Sequence, residues 1–525
     1  RSAALLSLGA AGATLTAGGC RTPSTPEAAP MPDLDPTPTP GRPPAPAAPP
    51  AQPAGPVRTP GASTPLDFPA LSLKIASPTG AGPLLDLRTD FGAAGDGAQD
   101  DRPAFLALAT AVNDGRVAPG AVVRLPAGRY RITGNDPIVF RRPVVLRGDS
   151  PDATVLRLEY TQQRSVFMRA QGQGMYAQHT ASLYDGRQGR NTYPSAPFSA
   201  VQGTPARGDT ELQVQRPDLF PPGAQVYLLC DDYGPQTTYA ARNTRFEHYL
   251  LKQHGAVERL DGDRVRLDAP LRDDFAGAAP RLYRWEPLQG FGLEHLTIED
   301  GSQIADTEEA NTFKAVQLDG VLDGWVWDVH FRDNTSIPLS VGRSRRVVVS
   351  ECLFDGARHV GGGGNGYLPE LYMSDDCLVE YCTSVAGRHA LICNWTCWGN
   401  VFRYNRLQGT PNTETHGEYS VENLYLRNDA RGARMEVGGG GTTVHAHDGP
   451  YNILRENYAR ILRVLKARDR DNRLLANWHV EPTVNQGTGT AQEGNQRVPA
   501  GWSDFPYVPF CGHDHSQTAE SARPT

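Results

Sequence analysis

One strand-like phrase returns eight times between Leu293 and His479, and this recurrence constrains the fold more than any other feature of the chain. Val326-x-x-Val329-x-Phe331 aligns with Val349-x-x-Cys352-x-Phe354 and Val379-x-x-Cys382-x-Ser384. The register continues through Phe402-x-x-Asn405-x-Leu407, Tyr425-x-x-Asn428, Leu454-x-x-Asn457 and Leu474-x-x-Asn477, and reaches back to Leu293-x-x-Leu296-x-Ile298. The anchors at 296, 329, 352, 382, 405, 428, 457 and 477 are therefore 33, 23, 30, 23, 23, 29 and 20 residues apart. So short a unit cannot bury its own apolar face and must stack on its neighbours into one continuous core. Each phrase is rich in β-branched and aromatic residues and bounded by Gly, Asp or Asn, which suits a strand of about five residues. Propeller blades need units of roughly forty residues, and the regular leucines of a leucine-rich repeat do not occur. The expected fold is all-β, a single-stranded parallel β-helix with equivalent residues about 4.8 Å apart on successive coils. Asn405, Asn428, Asn457 and Asn477 then form a side-chain ladder, with Cys352 and Cys382 stacked before it as small apolar groups. The ladder is assigned to structure rather than to chemistry.

The flanks of the repeat divide the remaining sequence. Residues 1–20 read as a lipoprotein-type signal: an apolar run over 3–15 follows Arg1, and Ala17-Gly18-Gly19 precede Cys20, the candidate lipidation site. Acyl chains on Cys20 would hold the protein at a bacterial cell envelope without spanning the membrane. From Arg21 to Leu66 lie 16 of the 44 prolines, the composition of a disordered stalk. Residues 67–160 are expected to hold an N-terminal cap and the first coils, and 161–288 an inserted β-rich subdomain or long loops. Residues 289–480 carry the main coils, and 481–525 an irregular tail in which Trp502, Phe505 and Tyr507 dock on the last coil. His248 and His254, within the insertion, are expected at the surface. A formal charge of −7 argues against nucleic acid as a partner. Setting Cys20 aside leaves seven cysteines; Cys393 with Cys397, or Cys377 with either, are candidate disulfide pairs, whereas Cys352 and Cys382 are expected as free thiols.

Between Asp86 and Leu158 runs a denser set of signals. Asp100 and Asp101 precede Arg102-Pro103, the start expected of a helix that covers the open end of the solenoid. Phe91-Gly92-Ala93, Gly95-Asp96-Gly97 with Asp100-Asp101, and Leu125-Pro126-Ala127-Gly128-x-Tyr130 follow one another over about seventy residues. In these motifs the chain resembles the pectate-lyase superfamily of right-handed β-helices, in the branch grouped with rhamnogalacturonases and epimerases. The resemblance implies a right-handed solenoid and a polysaccharide partner. It does not imply one reaction, because the superfamily includes lyases, hydrolases, epimerases and phage tailspikes.

The coil register also points to chemistry. His359 and His389 lie seven residues beyond Cys352 and Cys382, each preceded by arginine, so Arg358-His359 and Arg388-His389 are expected to stack on adjacent coils. Arg434 and Arg463, six beyond Asn428 and Asn457, extend a basic stripe. Long intervals between anchors mark loops that wall a groove and contribute Tyr367, His416, Glu418, Glu436, His445, His447 and Asp448. Arginines with interspersed His and Tyr suit a uronate-containing glycan, because guanidinium grips carboxylate in a bidentate pair. Arg388, His389, His416 and Glu418 are the catalytic candidates. Arg358, His359, Tyr367, Arg434, Glu436, His445, His447 and Asp448 are the substrate-binding candidates. In β-elimination, arginine neutralises the carboxylate and His389 or His416 takes the adjacent proton. Hydrolysis by a carboxylate pair, Glu418 with Glu436 or Asp448, is the first alternative, and a non-catalytic glycan-binding or envelope-structural solenoid is the second. Asp375 and Asp376 are the candidate oxygen ligands should calcium take part. A metal site at His445 and His447 with His513 or His515 is a further alternative.

Overall fold

The computed structural model describes residues 68–77, 84–161, 166–172, 196–229, 251–275, 280–302, 313–361, 364–409, 412–416, 419–438, 449–465 and 471–500. The chain winds into a parallel β-helix whose coils present three columns of strands. The first column includes Val348–Ser350, Leu378–Glu380, Val401–Arg403, Leu424–Leu426 and Ile453–Arg455, each paired in parallel with the next. Leu353–Ala357, Thr383–Val385 and Arg406–Gln408 belong to the second column. The third runs through Lys314–Asp319, Ile337–Gly342, Tyr367–Tyr372, His389–Asn394 and Asn412–His416, and then into the second half of Asp429–Val437.

The repeat anchors are the bends between the first and second columns. Every anchor follows a residue in the left-handed region: His295, Asp328, Glu351, Tyr381, Tyr404, Arg427, Glu456 and Ala476 have φ between 52° and 56°. For residues other than glycine that conformation costs about 1–2 kcal/mol. Asparagine side chains offset the cost, because each amide bonds along the stack. Asn405 Nδ2 donates to Asn428 Oδ1 at 3.0 Å, Asn428 to Asn457 at 2.9 Å, and Asn457 to Asn477 at 3.0 Å. The ladder also extends to Asn495. A second ladder, Asn400, Asn423, Asn452 and Asn472, lines the bend that enters the first column, and the sequence reading passed over it. Inside, Phe402 and Tyr425 stack at 4.6 Å and Phe331 and Phe354 at 5.2 Å, so the core repeats with the backbone.

A helix, Arg102–Asn113, packs Phe105 against Tyr130 and Phe167 of the early coils. The Asp101 carboxylate turns away from the helix and accepts from the N–H of Ala94 and Gly95. The Gly95-Asp96-Gly97 turn is closed by Asp96, which accepts from Ala98 and Gln99.

Phe198–Gln202, Glu211–Val214, Gln225–Leu229, Lys252–Asp261, Arg264–Leu267 and Arg281–Arg284 close an antiparallel barrel. Its core is continuous with Trp398, Tyr419 and Val421 on the solenoid bends. Buried charges fasten the two together. Asp375 holds Lys252 and His254, Asp376 holds Arg272 and Arg345, and Glu422 holds Arg272 and Arg207.

Three expectations are corrected here. His254 is 1% exposed, not a surface residue, and its Nδ1 lies 2.8 Å from Asp375. Burial outweighs that carboxylate and pushes its imidazole down to about 4. Asp375 and Asp376 are not calcium ligands, because Lys252 and His254 occupy the oxygens of the first carboxylate and Arg272 and Arg345 those of the second. Cys377, Cys393 and Cys397 are free buried thiols and form no disulfide, since each occupies a stacked core position; Cys352 and Cys382 are free as well. Cys20, His248, Trp502, Phe505, Tyr507, His513 and His515 lie outside the described residues.

Candidate functional site

Alternation along the third column decides which side chains face outward. Leu368, Leu371, Ala390, Cys393, Met435 and Val437 belong to the main core. Their neighbours Tyr367, Glu370, His389, Asn394, Arg434 and Glu436 therefore project from the opposite side. In Asn412–His416 the same alternation turns Asn412, Glu414 and His416 outward. Tyr367, His389, Asn412 and Arg434 are successive rungs of one row, and Asn394 and His416 occupy a second row.

The centre of this face is Glu414. Its Oε1 lies 2.9 Å from His416 Nδ1, and its Oε2 is in ion-pair contact with His389 Nε2 at 3.0 Å. The Tyr367 ring stands 5.3 Å from His389 and 5.9 Å from His416. Burial opposes ionisation of Glu414, but the two imidazoles outweigh it and hold the carboxyl far below the usual range. Glu436 follows the opposite course. Burial, aided by the charge of Glu414 and countered by Arg434 and Arg463, pushes it up to about 7. Glu436 receives Asn412 Nδ2 at 2.5 Å and lies 3.3 Å from Arg463. Asn412 Oδ1 in turn lies 2.9 Å from His389 Nδ1. One rung toward the N-terminus, Glu370 is bound by Lys314 at 2.7 Å and Asn394 at 2.6 Å. Burial opposes ionisation of Glu370 too, yet Lys314 keeps its carboxyl below the ordinary value.

Of the sequence candidates, Tyr367, His389, His416, Arg434 and Glu436 converge on this face. Arg388 flanks it and has no ion-pair partner among the described residues. Its backbone N–H donates to Gly366 O, and a Cβ on Gly366 would stand only 3.0 Å from Arg388 Cβ, with φ of Gly366 at 70°. Arg358 and His359 do not stack on Arg388 and His389, which corrects the expected ladder. Residues 360–366 intervene between His359 and the third column, so the rung above His389 is Tyr367. Arg358 instead bonds Ser302 O and Thr335 Oγ1 and lies 3.4 Å from Asp300. Glu418, His445, His447 and Asp448 lie outside the described residues. Glu414 and Asn412 were missed, although the alternation in Asn412-Thr413-Glu414-Thr415-His416 is a legible strand pattern with one polar face.

Residues 88–192 match the family model for rhamnogalacturonase A/epimerase, pectate lyase-like. In that segment the chain is similar to pectate-lyase-like proteins, and its described strands form a parallel β-helix. Over 74 residues it is 43% identical to mannuronan C5-epimerase AlgE1 of Azotobacter vinelandii, a match covering 13% of this chain and 5% of that protein. The chain thus spans about a twentieth of that relative's length. Among solved structures, this β-helix is similar to the tailspike protein gp49 of Pseudomonas phage LKA1, with 13% identity, coverage of 79% of each chain and a TM-score of 0.47. A second is ι-carrageenase complexed to ι-carrageenan fragments, with 11% identity, 85% and 96% coverage and a TM-score of 0.37.

Proposed function

We propose that this protein acts on a uronate-containing polysaccharide laid along the outer face of the third strand column and cleaves it by β-elimination. One observation carries the reading: His389 and His416 share the carboxylate of Glu414, with Tyr367 against both rings and Arg388 beside them. Arg388 neutralises the sugar carboxylate and so acidifies the C5–H bond. Glu414 fixes the Nδ1–H tautomer of His416, which places a lone pair on Nε2 to take the C5 proton. The electron pair forms the C4–C5 double bond as the C4–O bond breaks, and the leaving oxygen takes a proton from water. Local similarity to a mannuronan C5-epimerase supports a uronate, because epimerisation also begins with removal of the C5 proton.

Hydrolysis is a second reading, supported by Glu414 and Glu436 on neighbouring rungs with opposite preferences for a proton. The expected setting is the cell envelope, with Cys20 lipidated and residues 21–66 as a stalk. Incubation with a panel of acidic and neutral polysaccharides tests the reaction. Ultraviolet absorbance of an unsaturated uronide supports elimination, and new reducing ends without it support hydrolysis. Inverted C5 centres without cleavage indicate epimerisation, and binding without any product overturns the enzymatic reading. Incorporation of labelled fatty acid into the wild type, but not into Cys20→Ala, tests the anchor.

A further inference from the structure

A chain of polar contacts in the site has a middle member that can face either way. Asn412 Nδ2 donates to Glu436 Oε1 at 2.5 Å, and Asn412 Oδ1 accepts from His389 Nδ1 at 2.9 Å. On its far side His389 Nε2 lies 3.0 Å from Glu414, which also holds His416. None of these five residues is more than 8% exposed, so their polar atoms depend mainly on one another rather than on bulk water. A carboxamide has donors on one side and an acceptor on the other, and turning it over exchanges them.

Proton counting shows what the two orientations do. With the proton on Glu436, its O–H donates to Asn412 Oδ1, Asn412 Nδ2 donates to the lone pair of His389 Nδ1, and His389 presents Nε2–H to Glu414. With the same proton on the imidazole, ionised Glu436 accepts from Asn412 Nδ2 and His389 Nδ1–H donates to Asn412 Oδ1. Nε2–H still faces Glu414. Both states hold equal numbers of protons and match each donor to an acceptor along Glu436, Asn412 and His389 Nδ1. If the proton departs altogether, Glu436 and His389 Nδ1 compete for the donor side of one amide from opposite directions, and one of them is left unmatched.

We propose that Asn412 is a positioning residue through which Glu436 and His389 share one proton, so that Glu436 sets the tautomer and charge of His389 without touching it. The charged groups facing Glu436 are Arg434 on its own strand, Arg463 on the following rung and Glu414 on the preceding one. Those facing His389 are Glu414 and His416, with the Tyr367 phenol packed on its ring. Because burial pushes Glu436 up to about 7, the shared proton leaves in the neutral range. The consequence for catalysis rests on the proposed reaction, whereas the shared proton does not.

The test follows the ring nitrogens of ¹⁵N-labelled histidine and the side-chain carboxyls of ¹³C-labelled glutamate by NMR in the full chain as a function of pH. His389→Gln and Glu436→Gln spectra assign the signals. In the wild type, His389 and Glu436 are expected to change at one common midpoint. Asn412→Leu should separate the two midpoints, and Glu436→Gln, which keeps the shape of the side chain, should move that of His389 by about one pH unit, a ~tenfold change in equilibrium constant. Identical His389 titrations in all three proteins would overturn the proposal. Where product is measurable, Asn412→Leu should lower kcat about a hundredfold and alter its pH profile with little change in KM. Coupled midpoints in a protein that forms no product would support the shared proton and count against the reaction, so the two ideas fail separately.

Discussion

Asn428 occupies the middle of the first asparagine ladder, and its removal measures what holds the coils in register. Its Oδ1 accepts from the N–H and Nδ2 of Asn405, both at 3.0 Å, and its Nδ2 donates to Phe402 O and Asn457 Oδ1, both at 2.9 Å. Asn428→Ala deletes all four bonds at a fully buried position and strips the Asn405 N–H and the Phe402 carbonyl of the partners that the amide supplied. At about 1–3 kcal/mol for each buried group left unsatisfied, the expected loss is about 2–6 kcal/mol. Asn495 is the internal control. It makes the same kind of bonds, to Asn477 and Leu474, but at a half-buried end of the ladder where water can replace them. Asn495→Ala should therefore cost about 1 kcal/mol. Urea unfolding followed by circular dichroism reads both losses. The folded Asn428→Ala protein should keep its activity, because this ladder lies between the first and second columns and the site lies on the third. Equal destabilisation by the two substitutions would refute the reasoning, since burial would then not govern the cost.

Acid should loosen the junction between barrel and solenoid. His254, held at about 4 in the folded protein against an ordinary 6.5, binds fewer protons folded than unfolded. Stability should accordingly fall by up to about 3 kcal/mol as pH drops through that window, which unfolding midpoints measured against pH will show. Asp375, held down to about 2 although burial opposes its charge, extends the loss to lower pH. Glu436 has the opposite sign: raised from 4.5 to about 7, it contributes stability that is fully present below about 4.5 and lost as pH rises through about 7. Glu436→Gln should flatten that slope. Glu414→Gln should leave the fold intact and lower kcat by about 10²–10⁴-fold in the polysaccharide assay. Cys352, Cys377, Cys382, Cys393 and Cys397, all buried, should react with a thiol reagent only after denaturation.

The solenoid was legible in the sequence because its repeat is enforced one rung at a time: a residue at each bend can bond only to its equivalents above and below. The same logic could have exposed the second ladder, since Asn400, Asn423, Asn452 and Asn472 each precede a first-ladder asparagine by five residues. The candidate site was legible only in part. Tyr367, His389, His416, Arg434 and Glu436 stood out by residue type, but Glu414 appeared as one acid among many. Counting from an anchor also failed between Cys352 and Tyr367, because the number of residues from anchor to third column differs between coils, and so His359 was matched to His389 in place of Tyr367.

The sequence by itself determined that the chain stacks short strands in parallel, where the coils bend and which residues line the ladders, because these follow from periodicity and local backbone cost. Only the tertiary structure decided what each charged group does. Asp375 meets Lys252, and Asp376 meets Arg272, across more than a hundred residues of chain, and Glu414 acquires its role from a histidine one rung away. Such pairings depend on loop length and on burial, which sets whether a carboxyl keeps its proton, and neither can be read from the order of residues alone.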